Sequence, residues 1–269
     1  MNLGFYPIAS SSKGNSYLIR SEETAILLDA GVSGTRINKA LEQLNLSTKR
    51  VKGLLITHEH VDHMQGASRV LSFCHHCDLY CSKGTMEATA LKFERFEDSR
   101  KVVVASNETF MIGDIEVTAF ELSHDASEPL AYTFKKNGKK IAVVTDTGKF
   151  TKDMDDAIAD SDILVIESNH EVNILLYGRY PYHVKHRILS DVGHISNEVC
   201  GEAICRFLEN QKEEKIPRVF LAHLSKENNT PQQAMLTVGN ILEEHDFYVG
   251  KNLKMEVLAP EGESQYIVI

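Results

Sequence analysis

Thr57-His58-Glu59-His60-Val61-Asp62-His63 is the stretch of this sequence that decides the fold, and it begins at the end of the predicted buried strand Val51–Thr57. On an α-helix, His58 and His60 would be separated by about 200° and could not share an ion. In an extended or looped backbone the two side chains face the same way. Asp62 and His63 follow at once, so three imidazoles and the Asp62 carboxylate lie within six residues as candidate ligands. The stretch therefore predicts a metal site on a loop, and not the helical zinc-protease motif, whose histidines are four residues apart.

Three further candidate ligands follow other predicted strands. His124 comes after the strand ending at Leu122, Asp146 follows Ile141–Thr145, and His223 follows Val219–Ala222. Functional side chains are common at strand ends, because the loops that begin there are positioned by a rigid scaffold of strands. A single histidine at such a place is usually a hydrogen-bonded surface residue, so these three count only together with the 57–63 stretch. His170 and His194 are rivals for the same roles.

Composition bounds the class of protein. The chain has 269 residues, a formal net charge of −9 and five cysteines, and it has no apolar run of the ~18 residues that a membrane span needs. The start lacks a basic region and a cleavage site, and the odd cysteine count indicates reduced thiols. We therefore expect a cytoplasmic protein with no membrane contact and no organic cofactor. Nucleic-acid binding would have to use a local basic patch.

Predicted strands and helices alternate along the whole chain, without a linker or low-complexity segment, so we expect one domain over residues 1–269. Asn137-Gly138 is a strong hairpin signal between two apolar runs. Thr230-Pro231 is typical of a helix start, and Met64–His75 is predicted as one helix. This mixture of hairpins and helices favours an α/β fold with two sheets covered by helices over a single parallel sheet.

The metal motif and its strand-end partners resemble the metallo-β-lactamase superfamily. The resemblance implies an αββα four-layer sandwich, in which two mixed β-sheets are flanked by helices. It also implies two metal ions with an assigned ligand set: His58, His60 and His124 for one ion, Asp62, His63 and His223 for the other, and Asp146 as the bridge.

Four further segments resemble the YycJ family, also called WalJ or VicX. They are Ala9–Ser16, Glu167–Glu171, Gly193–Asn197 and His223–Asn229. The resemblance implies a metal-dependent 5′-to-3′ exonuclease acting on double-stranded DNA, with a link to mismatch repair. It also implies a gene beside an essential cell-wall two-component system. Two alternatives stay open: a small-molecule phosphodiesterase or thioesterase, and a metal-binding partner of that signalling system.

The chemistry expected of such a site is hydrolysis. Two divalent cations about 3.5–4 Å apart can share one water, lower its pKa and provide a hydroxide nucleophile. Imidazole and carboxylate ligands suit zinc or manganese, and magnesium or iron is possible. Asp62 is expected to act in catalysis as a ligand, and His194 as the acid that protonates the leaving oxygen. The alternative for His194 is a histidine at a helix start, beside the cap residue Ser196 or Asn197. His170 is the rival acid or a substrate contact.

A basic and aromatic stretch, Arg179–Arg187, is the candidate DNA contact, with Arg179 and Lys185 reaching phosphates and tyrosines stacking on bases. The alternative is a solvated helix start. Ser225 is a further candidate phosphate contact or a helix cap. Cys74, Cys77 and Cys81 are expected to be buried thiols instead of a separate zinc site. The sequence leaves the oligomeric state open.

Overall fold

The computed structural model describes residues 3–212, 215–258 and 265–269, and it divides the chain into two compact units. The first unit comprises the described parts of Met1–Glu121, Ala126–Lys139 and Ala259–Ile269. The second comprises Leu122–Asp125 and Lys140–Leu258. The expectation of one domain over the whole chain stays a prediction beside this division.

A seven-stranded mixed sheet lies wholly in the first unit. Its strands are β1 (Gly4–Ala9), β2 (Ser16–Arg20), β3 (Ala25–Leu28), β4 (Val51–Leu55), β5 (Asp78–Cys81), β6 (Lys101–Val103) and β14 (Ile267–Val268), in the order β14-β1-β2-β3-β4-β5-β6. The pairs from β14 to β3 are antiparallel, and those from β3 to β6 are parallel. Strand β3 is buried along its whole length, as its unbroken apolar run indicates for a strand covered on both faces.

Short helices complete the core of this unit. They are α1 (Gly34–Gln43), α2 (Val61–Met64), α3 (Ala67–Phe73), α4 (Lys83–Ala88) and α5 (Ala90–Phe93), with 3₁₀ turns at Thr48–Arg50 and Asp98–Arg100. Helix α1 begins after Ser33, whose hydroxyl accepts a hydrogen bond from the Arg36 amide. Ile37 of α1 and Val70 of α3 are buried in one apolar cluster with Leu27 and Leu54.

The second sheet also has seven strands, in the order β13-β12-β11-β10-β9-β8-β7. Strands β7 (Thr109–Ile112), β8 (Ile115–Glu121) and β9 (Leu130–Lys136) are antiparallel. Strands β10 (Lys139–Val144), β11 (Ile163–Glu167), β12 (Arg218–Ala222) and β13 (Lys254–Val257) are parallel. Strands β7, β8 and β9 of this sheet fall in the residue ranges of the first unit. The helices of the second unit are α6 (Lys152–Ile158), α7 (Val172–Tyr177), α8 (Tyr182–Ile188), α9 (Asn197–Glu209) and α10 (Pro231–Glu244). The prediction of two mixed sheets accompanied by helices is confirmed.

Two local predictions are confirmed by backbone geometry. Asn137 and Gly138 both have positive φ, at 50° and 77°, as a two-residue hairpin turn of type I′ requires. Helix α10 begins at Pro231, and the Thr230 hydroxyl accepts a hydrogen bond from the Gln233 amide at 3.1 Å.

The prediction of a single helix over Met64–His75 is wrong, because the chain forms α2 and α3 with a break at Gly66. The Gly66 amide donates to the Ala30 carbonyl at 2.7 Å instead of continuing a helix. A Cβ at Gly66 would lie 2.3 Å from the Val32 carbonyl oxygen. A close approach to a loop more than thirty residues earlier therefore interrupts the helix.

Candidate metal centre and active site

The predicted ligand loop of the first unit follows β4 and ends in the short helix α2. His60 is extended, with φ −63° and ψ 146°, so the loop has the non-helical backbone that the histidine spacing predicts. The ring centroids of His58 and His60 lie 4.6 Å apart, and those of His58 and His63 lie 4.2 Å apart. His58 and His63 are buried, whereas His60 and Asp62 are half-buried. Asp62 Oδ2 lies 3.7 Å from His63 Nε2. The structure thus gathers all four predicted side chains of this stretch.

Asp29 is a functional candidate that neither composition nor spacing singled out. It follows β3 directly and is fully buried, and its Oδ2 lies 2.7 Å from His63 Nδ1. Its Oδ1 accepts from the Thr57 amide at 2.8 Å, and the Thr57 hydroxyl lies within 3.1 Å of both carboxyl oxygens. Burial raises the pKa of Asp29, and the neighbouring His63 opposes that shift. The signal that could have found Asp29 is the same strand-end position that identified His124 and His223.

The backbone of Asp62 is held by an N-terminal loop. The Asn15 amide donates to the Asp62 carbonyl at 2.8 Å, and Asn15 Nδ2 lies 3.1 Å from His63 Nε2. A Cβ at Gly31 would lie 1.6 Å from the Asp62 carbonyl oxygen. Only glycine permits this approach, so the loop around residue 15 and the turn after β3 together fix the position of the ligand stretch.

The second unit gathers a cluster of four ligand-type side chains. Each of Asp146, Glu167, His194 and His223 offers an atom within 4.8 Å of the others. His223 Nδ1 lies 2.8 Å from Glu167 Oε1 and 3.3 Å from Asp146 Oδ1. Asp146 and His223 both have positive φ, at 63° and 54°, just after strands β10 and β12. These strained strand ends turn the two side chains towards one another.

Glu167 connects this cluster, and the sequence had assigned it no role. Its Oε1 accepts from Nδ1 of both His194, at 2.9 Å, and His223, at 2.8 Å. Its Oε2 accepts from the amides of Thr147, at 3.1 Å, and Ile195, at 3.3 Å. Complete burial by itself would raise the pKa of Glu167, but the two imidazoles and their hydrogen bonds outweigh burial and lower the pKa to about 2. The carboxylate therefore orients two imidazole rings at once.

His124 and His194 lie beside each other, with ring centroids 5.2 Å apart, and His194 is equally far from His223. The Gly193 carbonyl accepts from His124 Nδ1 at 3.1 Å. Burial lowers the pKa of His124 and so favours the neutral imidazole that a metal requires. His194 thus joins the cluster as a neighbour of the predicted ligands.

His170 is almost completely buried, and neither ring nitrogen has a hydrogen-bond partner among the residues that the structure describes. Burial lowers the pKa of His170 to about 4, with Glu167 and His194 among the groups that act on it. Its imidazole is therefore neutral near pH 7. The predicted role of His170 in substrate binding stays a prediction.

The imidazoles of these clusters fit divalent metal ions, because a histidine that binds a metal through one ring nitrogen usually donates the N–H of the other to an oxygen acceptor. An oxygen acceptor lies at Nδ1 of each of four rings and fixes the orientation of the ring; in the three predicted ligands among them, Nε2 is the atom presented to a metal. These rings and their acceptors are His63 with Asp29, His124 with the Gly193 carbonyl, and His194 and His223 with Glu167. In the second unit, Asp146, Glu167, His194 and His223 form a group whose ligand atoms could hold a metal ion.

The predicted substrate contacts lie elsewhere in the second unit. Arg179 is exposed in the segment between α7 and α8. Lys185 Nζ donates to the carbonyls of Leu176, at 2.7 Å, and Gly178, at 2.8 Å. Ser225 is buried, and its hydroxyl accepts from the Asn228 amide at 3.3 Å. Their roles towards substrate stay predictions.

The expectation of buried thiols is confirmed. Cys74, Cys77 and Cys81 are free cysteines with buried side chains. Burial raises the pKa of Cys74 and of Cys81 to about 12, so neither is a thiolate near neutral pH. Among the described residues, no helix has the length and apolar character needed to cross a membrane.

Fold and site together define a member of the β-lactamase superfamily. The family model described as "Beta-lactamase superfamily domain" matches residues 24–217. The solved metallo-β-lactamase-fold protein YhfI from Bacillus subtilis is similar with a TM-score of 0.71, at 12% identity, over 98% of this chain and all of that one. The chain therefore has the metallo-β-lactamase fold, which confirms the predicted fold class.

Two curated relatives narrow this class. The Exodeoxyribonuclease YycJ of Bacillus anthracis is 36% identical over 261 residues, or 97% of each chain. The Exodeoxyribonuclease WalJ of Streptococcus pneumoniae D39 is 37% identical over 94% of this chain and 93% of that protein. The chain belongs to the YycJ/WalJ family of metallo-β-lactamase-fold hydrolases, as the sequence motifs predicted.

Proposed function

We propose that this chain is a metal-dependent exodeoxyribonuclease that hydrolyses phosphodiester bonds. The observation that carries the proposal is the similarity, at 36% identity over 97% of both chains, to a protein named an exodeoxyribonuclease. The cluster of Asp146, Glu167, His194 and His223 in the second unit supports it, and so does the gathering of His58, His60 and His63 in the first, because such donors suit the divalent ions used in phosphoryl transfer. Three parts of this proposal rest on the family resemblance and the sequence: double-stranded DNA as the substrate, 5′-to-3′ polarity and a cytoplasmic location.

We further propose that two divalent ions bind to the set implied by the superfamily: His58, His60, Asp62, His63, His124, Asp146 and His223. Zinc and manganese fit these ligands best, and magnesium and iron are the alternatives. When bound, such ions act as Lewis acids that activate water and offset the charge developing on the phosphate. The remaining chemistry belongs to the side chains around them.

His194 is the proposed proton donor to the leaving oxygen. The Glu167 carboxylate accepts a hydrogen bond from His194 Nδ1 at 2.9 Å, so the ring is held in one orientation. Nε2 is then the nitrogen that would give a proton to the leaving oxygen. Asp29 has the corresponding positioning role for His63. Glu59 has a structural role, because its Oε1 accepts from both the amide and the hydroxyl of Ser127 at 2.7 Å.

The test is release of nucleotides from a 5′-labelled duplex in the presence of manganese, magnesium or zinc. Asp146→Ala is expected to lose both bound metal and nucleotide release. His194→Asn keeps a donor for Glu167 but removes the outer ring nitrogen, so it is expected to keep its metal and lose about 10²–10⁴-fold in rate. Asp155→Asn is the matched control, because the Asp155 carboxylate pairs with Arg206 at 2.9 Å outside this cluster.

The outcome that contradicts the proposal is a metal-loaded protein that releases no nucleotide with any of the three ions. A small chromogenic phosphodiester and a thioester, assayed in parallel, would then identify a small-molecule hydrolase. The net charge of −9 is the observation that favours this second candidate, since an acidic surface repels long polyanions.

A further inference from the structure

A surface formed by helices α7 and α8 has a charge opposite to that of the whole chain. Residues 172–190 contain no aspartate or glutamate, although the chain carries a net charge of −9. The same residues include two arginines, one lysine, two histidines and three of the nine tyrosines. We call residues 172–190 the α7–α8 segment. Its charge is complementary to a polyanion.

Two aromatic rings of the α7–α8 segment are exposed to an unusual degree. Tyr177 is 89% exposed and Tyr182 is 82% exposed. Large aromatic side chains normally bury most of their surface, so two almost fully accessible rings in one short segment point to a binding role. The Tyr182 ring also lies beside that of His186, with centroids 6.0 Å apart.

Two basic residues of the segment, Lys185 and Arg187, form hydrogen bonds within the fold, whereas Arg179 is exposed. The Lys185 ammonium donates to carbonyls at the end of α7, so it ties the two helices together. Arg187 forms a two-pronged ion pair with Asp125, with N–O distances of 2.5 and 2.9 Å. Arg179 lies exposed between the two tyrosines in sequence, and it is therefore the residue placed to meet a phosphate.

The α7–α8 segment is connected to the candidate active site within the same unit. The Arg187 partner, Asp125, is the next residue after the predicted ligand His124. The His194 amide donates to the Ile188 carbonyl, at the last residue of α8, at 2.9 Å. A DNA strand lying along the α7–α8 segment would therefore approach the candidate active site past Asp125, next to His124, and Ile188, which contacts His194.

We propose that the α7–α8 segment binds unpaired nucleotides of the DNA substrate, with Tyr177 and Tyr182 stacking on bases and Arg179 contacting the backbone. This inference rests on the proposed function, because it takes DNA as the substrate. Exposed rings can stack only on bases whose faces are accessible, which a closed duplex does not offer. The segment would therefore hold single-stranded nucleotides at an opened or overhanging end.

The test is fluorescence anisotropy with a labelled single strand of ~12 nucleotides and with a blunt duplex of the same sequence, in the presence of a chelator. Tyr177→Ala and Tyr182→Ala are each expected to weaken single-strand binding about tenfold. Arg179→Ala is expected to lower the slope of log affinity against log salt by about one. Tyr248→Ala is the matched control, because Tyr248 is 41% exposed but lies in another segment, and its binding is expected to equal wild type. Unfolding temperatures check that all variants fold.

Two results overturn the inference. The first is single-strand binding that is absent in wild type or unchanged in the Tyr177 and Tyr182 variants. The second is that wild type binds anionic lipid vesicles, and that the two tyrosine substitutions abolish this vesicle binding but leave single-strand binding intact. The segment would then be a membrane contact. Nucleotide release in the duplex assay is measured separately. If wild type releases nucleotides but the tyrosine variants bind the single strand as well as wild type does, only the inference about the α7–α8 segment is rejected. If single-strand binding depends on the tyrosines but no nucleotide is released, only the proposed exonuclease activity is rejected.

Discussion

Replacing Glu167 by glutamine is expected to destabilise the second unit strongly, although the two side chains have the same shape. All four hydrogen-bond partners of the Glu167 carboxylate are N–H groups: two imidazoles at Oε1 and two backbone amides at Oε2. A glutamine amide has one accepting oxygen and one donating NH₂ group. As long as both imidazoles keep the proton on Nδ1, either orientation of the amide therefore places its NH₂ group against two N–H donors.

The magnitude follows from how many N–H donors the substitution leaves without an acceptor. Two of the four buried donors still face an oxygen, and the other two face the NH₂ group, at a cost of about 1–3 kcal/mol each, so we expect stability to fall by roughly 2–6 kcal/mol. Glu167 is fully buried, so solvent cannot replace the missing acceptor. A domain with a total free energy of unfolding of about 5–15 kcal/mol would be visibly weakened.

The assay is urea unfolding of wild type and Glu167→Gln with a chelator present, so that bound metal does not affect the comparison. Asp155→Asn is the control, because it makes the same acid-to-amide change at a buried carboxylate outside the cluster, and the amide oxygen can still accept from Arg206. A Glu167→Gln protein as stable as Asp155→Asn would refute the reasoning. It would mean that the two imidazoles do not need a carboxylate at Nδ1, because their protons can move to Nε2.

Three further changes test other contacts. Asp29→Asn removes the negative charge beside His63 and leaves one accepting oxygen for two N–H donors, the Thr57 amide and His63 Nδ1. Metal affinity, measured by competition with a chromogenic chelator, should weaken about 10–100-fold; unchanged affinity would exclude the positioning role. Gly31→Ala places a Cβ 1.6 Å from the Asp62 carbonyl oxygen, so metal content measured by elemental analysis should collapse, and a fully loaded variant would contradict the close approach. Gly239→Ala lies inside α10 with nothing within 4 Å of the added Cβ, and urea unfolding should show a gain of about 0.5–1 kcal/mol instead of a loss.

The predicted ligands were accessible from the sequence because their signal is local. The 57–63 stretch carries its own spacing, and Asp146 and His223 each follow an apolar run that is visible in the sequence. The same local character explains the success at the Asn137-Gly138 turn and at the start of α10. In each case neighbouring residues supply both the pattern and the reason for it.

The roles of the supporting residues depended on distant parts of the chain. Asp29 is 34 positions from His63, and Glu167 is 27 and 56 positions from the two histidines that it orients. The role of Lys185 as a substrate contact stays a prediction, and no charge pattern reveals that its ammonium donates to carbonyls at the end of α7. The exposure of Tyr177 and Tyr182 depends likewise on which helix faces the fold leaves uncovered.

The amino-acid sequence alone determined the ligand loop, the turns, the helix start and the family to which the chain belongs, because covalent neighbours set spacing and backbone preference. Only the tertiary structure decided which carboxylates orient the histidines, where Gly66 interrupts a helix and which partners Lys185 and Arg187 bind within the fold. The physical reason is that a buried charge or a close backbone approach is defined by its partners. Folding alone determines which partners, separated by tens of residues, come within hydrogen-bond distance.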